Sequence, residues 1–284
     1  MNAINIFSTI HSRYNNMTHT EKKVADYMLE HAKSVVYMSI TDIADACGVG
    51  ESSIFRFCKS LSFKGYQEFK IALAHSMKAD DEIPQLTDKI LMNDTISQVA
   101  SKVLTTNINA LNETYSLIDT AKIERAIDHL IQAQRVLFFG VGSSLMTAME
   151  ANIKFMRITN KTACSIDSHL QIMSAALMSE QDVAVIISYS GSTKDTLEVA
   201  KKAKESGAVV ISITRFEKSP LTSYSDLTLL CGANEGPLQG GSLSAKISQL
   251  YLLDVLYVEY FKRTYEQSSV NKESTSTSVI PKLL

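Results

Sequence analysis

The sequence has little that would tie it to a membrane, an oxidising compartment or a metal. No apolar run approaches the roughly 18–20 residues of a membrane span, and the chain does not open on a basic segment followed by an apolar block, so no signal peptide is evident. The four cysteines, Cys47, Cys58, Cys164 and Cys231, are scattered and form no C-x-x-C pair. That argues against zinc and disulfides and for reduced thiols in a cytoplasmic protein; no metal and no cofactor are expected. A P-loop lysine pattern is absent, which argues against a nucleoside triphosphate. Gly140-Val141-Gly142 lacks the third glycine of a dinucleotide fingerprint, with Met146 near where it would fall. The formal net charge is −2, so any nucleic-acid surface must be local.

What is present is enough for one or two cored domains: 284 residues, 45% of them hydrophobic. Residues 1–77 read as all-helical. Ile4, Ile6, Phe7 and Ile10 begin a first helix, and Thr20-Glu21 starts a second with Val24, Ala25, Met28 and Leu29 on its apolar side. Ile43, Cys47, Val49, Ile54 and Phe57 are then apolar at the intervals with which a helix-turn-helix buries its angle. Ala44 is small where the helices approach, and Gly48 sits where the turn needs positive φ. A second helix is expected from about Ser52 to Leu61, with Ile54, Phe57, Cys58 and Leu61 as its buried stripe. Its other face carries Ser52, Ser53, Arg56, Lys59 and Ser60. That face suits a major groove: the serines for phosphate or base edges, Arg56 for a bidentate guanine contact, Lys59 for the backbone. Lys64 and Lys70 add positive charge; Glu51 opposes it unless it serves the helix N-terminus. A small helical bundle for protein contacts is the competing reading.

Residues 78–120 form a linker, with Pro84 among acidic residues, and a connecting helix from Thr95 to Ile118. From 121 to 265 strands alternate with helices. Arg135–Phe139, Thr162–Ile166, Val183–Ile187, Val209–Ile213 and Leu227–Leu230 are strand runs, which implies a parallel five-stranded sheet flanked by helices. Two turns follow strands and open helices: Gly140-Val141-Gly142-Ser143-Ser144 and Ser188-Tyr189-Ser190-Gly191-Ser192-Thr193. Hydroxyls at a helix N-terminus suit an anion such as a phosphate; an ordinary capped helix after a strand fits the spacing too. Both turns lie at carboxyl ends of strands and can face one pocket. Residues 266–284 are rich in serine and threonine and read as a flexible tail.

The two turns resemble the SIS (sugar isomerase) phosphosugar-binding fold, which is flavodoxin-like. The segment Ala44…Gly48-Val49…Ser52-Ser53-Ile54-Phe55-Arg56-Phe57-Cys58-Lys59, followed by Phe63-Lys64-Gly65-Tyr66, resembles the RpiR/MurR family of bacterial transcriptional regulators. The two signatures come in the family's order across roughly residues 1–262. The resemblance implies a homodimer or homotetramer that binds operator DNA and senses a sugar phosphate, held by Ser144, Ser188, Ser190 and Thr193, with Ser143 close by. Ser192 belongs to the same turn, and Lys154 and His169 are further candidates. The alternative is an aldose–ketose phosphosugar isomerase. That chemistry needs a carboxylate or histidine base. Asp167, His169, Asp195 and Glu235 are the conceivable ones, each with a competing structural role, so no catalytic residue is assigned.

Overall fold

The computed structural model describes residues 6–78, 90–233 and 244–282. They fall into two units, 6–108 and 109–282. The linker around Pro84 and the glycine-rich segment 234–243 with Glu235 lie outside the described residues.

The first unit is helical: α1 (Ile6–Arg13), α2 (His19–Glu30), α3 (Ala32–Val35), α4 (Ile40–Cys47), α5 (Glu51–Ser60), α6 (Tyr66–Lys78) and the start of α7 (Ile96–Ser116). Thr18, not Thr20, starts α2. Its hydroxyl accepts from the Glu21 amide while the Glu21 carboxylate accepts from the Thr18 amide, a reciprocal capping box. Ser39 and Asp42 repeat the device at α4. Helix α4 stops at Gly48, which takes φ 62° and ψ 41°. Its amide donates to Asp45 O at 3.1 Å, and the Val49 amide donates to Ala44 O at 2.9 Å. Ile10, Met28, Ile43, Ile54, Phe57, Phe69 and Leu73 are fully buried around this angle, with Phe57 and Phe63 both edge-on to Phe69.

The second unit is a three-layer α/β domain. After α8 (Thr120–Gln132) come β1 (Arg135–Phe139), α9 (Ser143–Phe155), β2 (Thr162–Cys164), α10 (Ser168–Ala176), β3 (Asp182–Ile187), α11 (Lys194–Glu205), β4 (Val209–Thr214), β5 (Leu227–Leu230), α12 (Ala245–Arg263) and α13 (Tyr265–Val279). The five strands are parallel in the order β2-β1-β3-β4-β5, the flavodoxin-like arrangement. Strands β1 and β3 are almost wholly apolar because helices cover both faces. Ala148, Ala151, Phe155, Leu252 and Leu256 pack one face; Ala175, Val199, Ala200 and Ala203 pack the other. Asp182 opens β3 as a buried carboxylate, and Arg135 of β1 binds it in fork geometry at 3.0 and 2.6 Å.

The expectation of a flexible tail is corrected: residues 265–279 form α13. It docks through polar side chains. Asn271 Nδ2 donates to Ile158 O at 2.8 Å and Thr275 Oγ1 to Arg157 O at 3.0 Å, satisfying carbonyls just beyond the end of α9. A low count of large apolar residues carries no information about such contacts.

Candidate functional site

The sheet order reverses at β1: the chain passes from β1 outward to β2, then returns to place β3 on the other side of β1. Helices α9 and α11 therefore leave adjacent strand ends toward opposite faces, the switch point at which sheets of this order place their ligands. Residues Phe139 and Ile186 are paired in register, so the two Gly/Ser turns follow neighbouring strands.

Each turn is shaped by glycine. Gly142 caps α9 with φ 59° and ψ −130°, a conformation closed to residues with a Cβ. Gly191, also at φ 59°, lies against a wall that the sequence did not reveal. A Cβ there would sit 2.2 Å from Ser219 Oγ and 3.2 Å from Thr214 Oγ1. Those residues come from the end of β4 and the loop beyond it, and only the tertiary fold brings them to Gly191.

The hydroxyls differ in what they already do. Ser188 is 3% exposed, and its Oγ is buried with no hydrogen-bond partner. Its backbone is fixed, with the amide on Ile213 O and the carbonyl accepting from the Gly191 amide. Ser190 and Ser192 are half-buried and bonded to each other: the Ser192 amide donates to Ser190 Oγ at 3.3 Å, and Ser192 Oγ donates to Ser190 O at 3.1 Å. Thr193 is the N-cap of α11 but makes no side-chain capping bond. Ser143 is exposed and Ser144 half-buried at the first turn of α9. Beneath that turn, fully buried Gln171 donates Nε2 to Gly140 O and Ser165 O, each at 2.9 Å.

Other sequence candidates go elsewhere. Lys154 lies three turns along α9, roughly 16 Å from Ser143 at about 1.5 Å per residue, and forms an ion pair with Asp254 of α12. Its distance along a rigid helix removes it from the turns. His169 is largely exposed, with Nδ1 3.7 Å from the Asp167 carboxylate. That carboxylate is occupied as the cap of α10, accepting from the His169 and Leu170 amides. Asp195 is exposed in the first turn of α11. Arg157 donates to Ser276 of α13. No group of three or more His, Cys, Asp or Glu among the described residues is placed to hold a metal, and no described helix is long and apolar enough to cross a membrane.

In the first unit, α5 presents Ser52, Arg56 and Lys59 on its exposed face with Ser53 half-buried beside them. Arg56 Nη2 donates to Ser53 Oγ at 3.4 Å, and Lys59 Nζ lies 5.5 Å from the centre of the exposed Phe55 ring. Glu51 accepts from Thr41 Oγ1 of α4, which holds its carboxylate at the α5 N-terminus. Lys70 does not join this surface: it is buried, donating to Met38 O at 3.2 Å above the Tyr66 ring. The long aliphatic stem of a lysine allows this where a carbonyl receives the ammonium.

These two constructions, an angled helix pair and a parallel sheet with two Gly/Ser turns at its switch point, coincide with two known domains. The helix-turn-helix domain of the rpiR family matches residues 4–80, and the SIS domain matches residues 129–259. An uncharacterized HTH-type transcriptional regulator of Haemophilus influenzae is 35% identical over 97% of this chain and 96% of its own. The chain belongs to the RpiR family of helix-turn-helix transcriptional regulators. A second family member, the regulator HexR of Pseudomonas aeruginosa, is 34% identical over 89% of this chain and 87% of its own. Among solved structures, the NanR protein of Vibrio vulnificus complexed with ManNAc-6P superposes with a TM-score of 0.87, at 29% identity, over 98% of this chain and 99% of that one. The RpiR architecture thus runs through both units.

Proposed function

We propose that this RpiR-family regulator binds operator DNA through α5 and that its SIS domain binds a sugar phosphate that changes operator affinity. The observation that carries the ligand half is Ser188 Oγ, a buried hydroxyl with no partner where β3 ends and the second turn begins. Such a group costs free energy until something accepts its proton. Ser143, Ser144, Ser190, Ser192 and Thr193 surround the phosphate in this reading, with the amides of two helix N-termini. A relative of 29% identity complexed with ManNAc-6P supports a phosphorylated amino sugar or hexose as the class of ligand. On the DNA side, Arg56 reads a guanine edge, Ser52 and Ser53 meet phosphate or base edges, and Lys59 holds the backbone. The protein acts as an oligomer on a two-fold operator, and the ligand works by preferring one arrangement of the recognition helices.

The chain performs no turnover in this reading. Asp167 is spent as a helix cap, and Lys154 is drawn away to Asp254. The test is fluorescence anisotropy on DNA upstream of the protein's own gene at fixed salt, with and without ManNAc-6P and a panel of hexose phosphates. A compound that shifts the operator isotherm is the expected result. Sequence-specific binding that no phosphorylated sugar alters would sink the sensor reading, and interconversion of an aldose and a ketose phosphate by the purified chain would restore the isomerase.

A further inference from the structure

The outer side of α5 carries an aromatic ring among polar residues. Ser52, Phe55, Arg56 and Lys59 follow one another at i, i+3, i+4 and i+7, and all four are exposed. Phe55 keeps 44% of its surface exposed and stands outside the core that Ile54, Phe57 and Cys58 join on the inner side. Among the described residues of the first unit, every other Phe and Tyr is buried or half-buried.

The ring is also held in place. A Cβ on Gly65 would stand 3.3 Å from Phe55 Cε2 and 3.6 Å from Cδ2, so one edge of the ring lies against bare backbone just before α6. Lys59 Nζ lies 5.5 Å from the ring centre, within the range at which an ammonium is attracted to an aromatic face. A side chain already seated in this way loses little further freedom when it enters a contact.

In the major groove, base pairs present hydrogen-bond donors and acceptors and one apolar substituent, the C5 methyl of thymine. A phenyl ring pressed on a donor or acceptor would deprive that group of water and offer no partner. Against a methyl it buries apolar surface on both sides. We infer, on the operator reading above, that Phe55 reads a thymine methyl near the base that Arg56 contacts, so that α5 selects an A·T pair at one position of each half-site. Arg56 and the serines supply the polar part of the readout, and Phe55 supplies a base choice that none of them makes.

The probe is a duplex enriched by the full chain from a random-sequence DNA pool, with binding followed by fluorescence anisotropy at fixed salt. Enriched sequences should share a thymine in each half-site. Deoxyuridine in its place keeps the hydrogen-bond pattern of the A·T pair and removes only the methyl. In one half-site it should weaken wild-type binding about fourfold, the contribution of one buried methylene-sized group. Phe55→Ala should bind the thymine duplex at least about fourfold more weakly and no longer distinguish uracil from thymine. Phe55→Gln takes its place if Phe55→Ala folds poorly, with the same expectation. Wild-type binding that is indifferent to uracil at every shared thymine overturns the inference, as does a folded Phe55 variant that still loses as much affinity on uracil as the wild type. A chain that enriches no sequence removes the operator reading itself. One that enriches a sequence and is weakened by Arg56→Ala, yet ignores uracil, removes the role of Phe55 alone.

Discussion

Replacing Ser188 with alanine should make the ligand-free protein more stable and its ligand binding weaker. The backbone of residue 188 is held by its own hydrogen bonds to Ile213 and Gly191, so the substitution removes one oxygen and little else. That oxygen is buried without a partner, and an unsatisfied buried polar group costs about 1–3 kcal/mol. Against this stands the small void left behind, roughly 0.5 kcal/mol at about 24 cal/mol per Å³ for a volume of roughly 20 Å³. The net expectation is a gain of about 0.5–2.5 kcal/mol for the free protein. A hydroxyl that donates to a charged ligand oxygen, as proposed, makes a bond of about 1.5–3 kcal/mol, so affinity should fall roughly 10- to 100-fold. Urea unfolding followed by far-UV circular dichroism measures the first quantity, and isothermal titration with the sugar phosphate the second. A Ser188→Ala protein that is less stable than the wild type, or that binds with unchanged affinity, refutes the assignment of this hydroxyl to a ligand.

Other expected outcomes come from the same geometry. Gly191→Ala adds left-handed strain of about 1–2 kcal/mol and a clash with Ser219 of about 1–3 kcal/mol. Unfolding of the double variant Gly191→Ala/Ser219→Gly should recover only the second part, and no recovery would mean that Ser219 is not the obstacle. The Asp182 carboxyl is pushed up by burial but pulled further down by Arg135 and Ser179, leaving it below the ordinary aspartate value. The stability it contributes is therefore complete above about pH 3.9 and is lost as pH falls through the lowered folded value. Asp182→Asn should be clearly less stable than the wild type at pH 7, with the difference shrinking as pH falls through the lowered folded value, and parallel stability–pH curves would exclude the pair as the cause. Arg56→Ala should cost about 1–3 kcal/mol of operator affinity and relax the choice at one base pair, which binding to a set of single-base operator variants will read. Ser190→Phe should crowd the second turn and abolish the response to sugar phosphate while operator binding persists; a normal response would place the ligand elsewhere.

The strands were legible because burial on both faces leaves an unbroken apolar run, and β1 and β3 have no other way to satisfy that pattern. Gly48 was legible for a related reason: the backbone at that corner is left-handed, and few residue types tolerate it. The two Gly/Ser turns could be read as strand-to-helix turns because their glycines and hydroxyls are contiguous in sequence. Their rear wall could not. Ser219 and Thr214 meet Gly191 only after β4 has been laid beside β3, and neither stands in a recognisable spacing with it.

Polar groups account for the remaining differences, because a polar side chain looks the same in a sequence whether water or a buried carbonyl receives it. Lys70 was assigned to a surface by its charge, yet Met38 O gives its ammonium a partner inside the first unit. Lys154 was a candidate for the ligand, yet it pairs with Glu150 of its own helix at 4.0 Å and with Asp254 from a helix far along the chain. The C-terminal residues carry the same lesson further. Composition weighs apolar area and finds too little of it, whereas α13 is anchored by Asn271 and Thr275 on carbonyls of the segment just beyond the end of α9. A carbonyl without a partner is a property of a folded helix end and not of any residue type. The docking of α13 therefore becomes predictable only once α9 and its terminus are known, in the same way that the orphaned hydroxyl of Ser188 acquires meaning only once the strands on either side of it are in place.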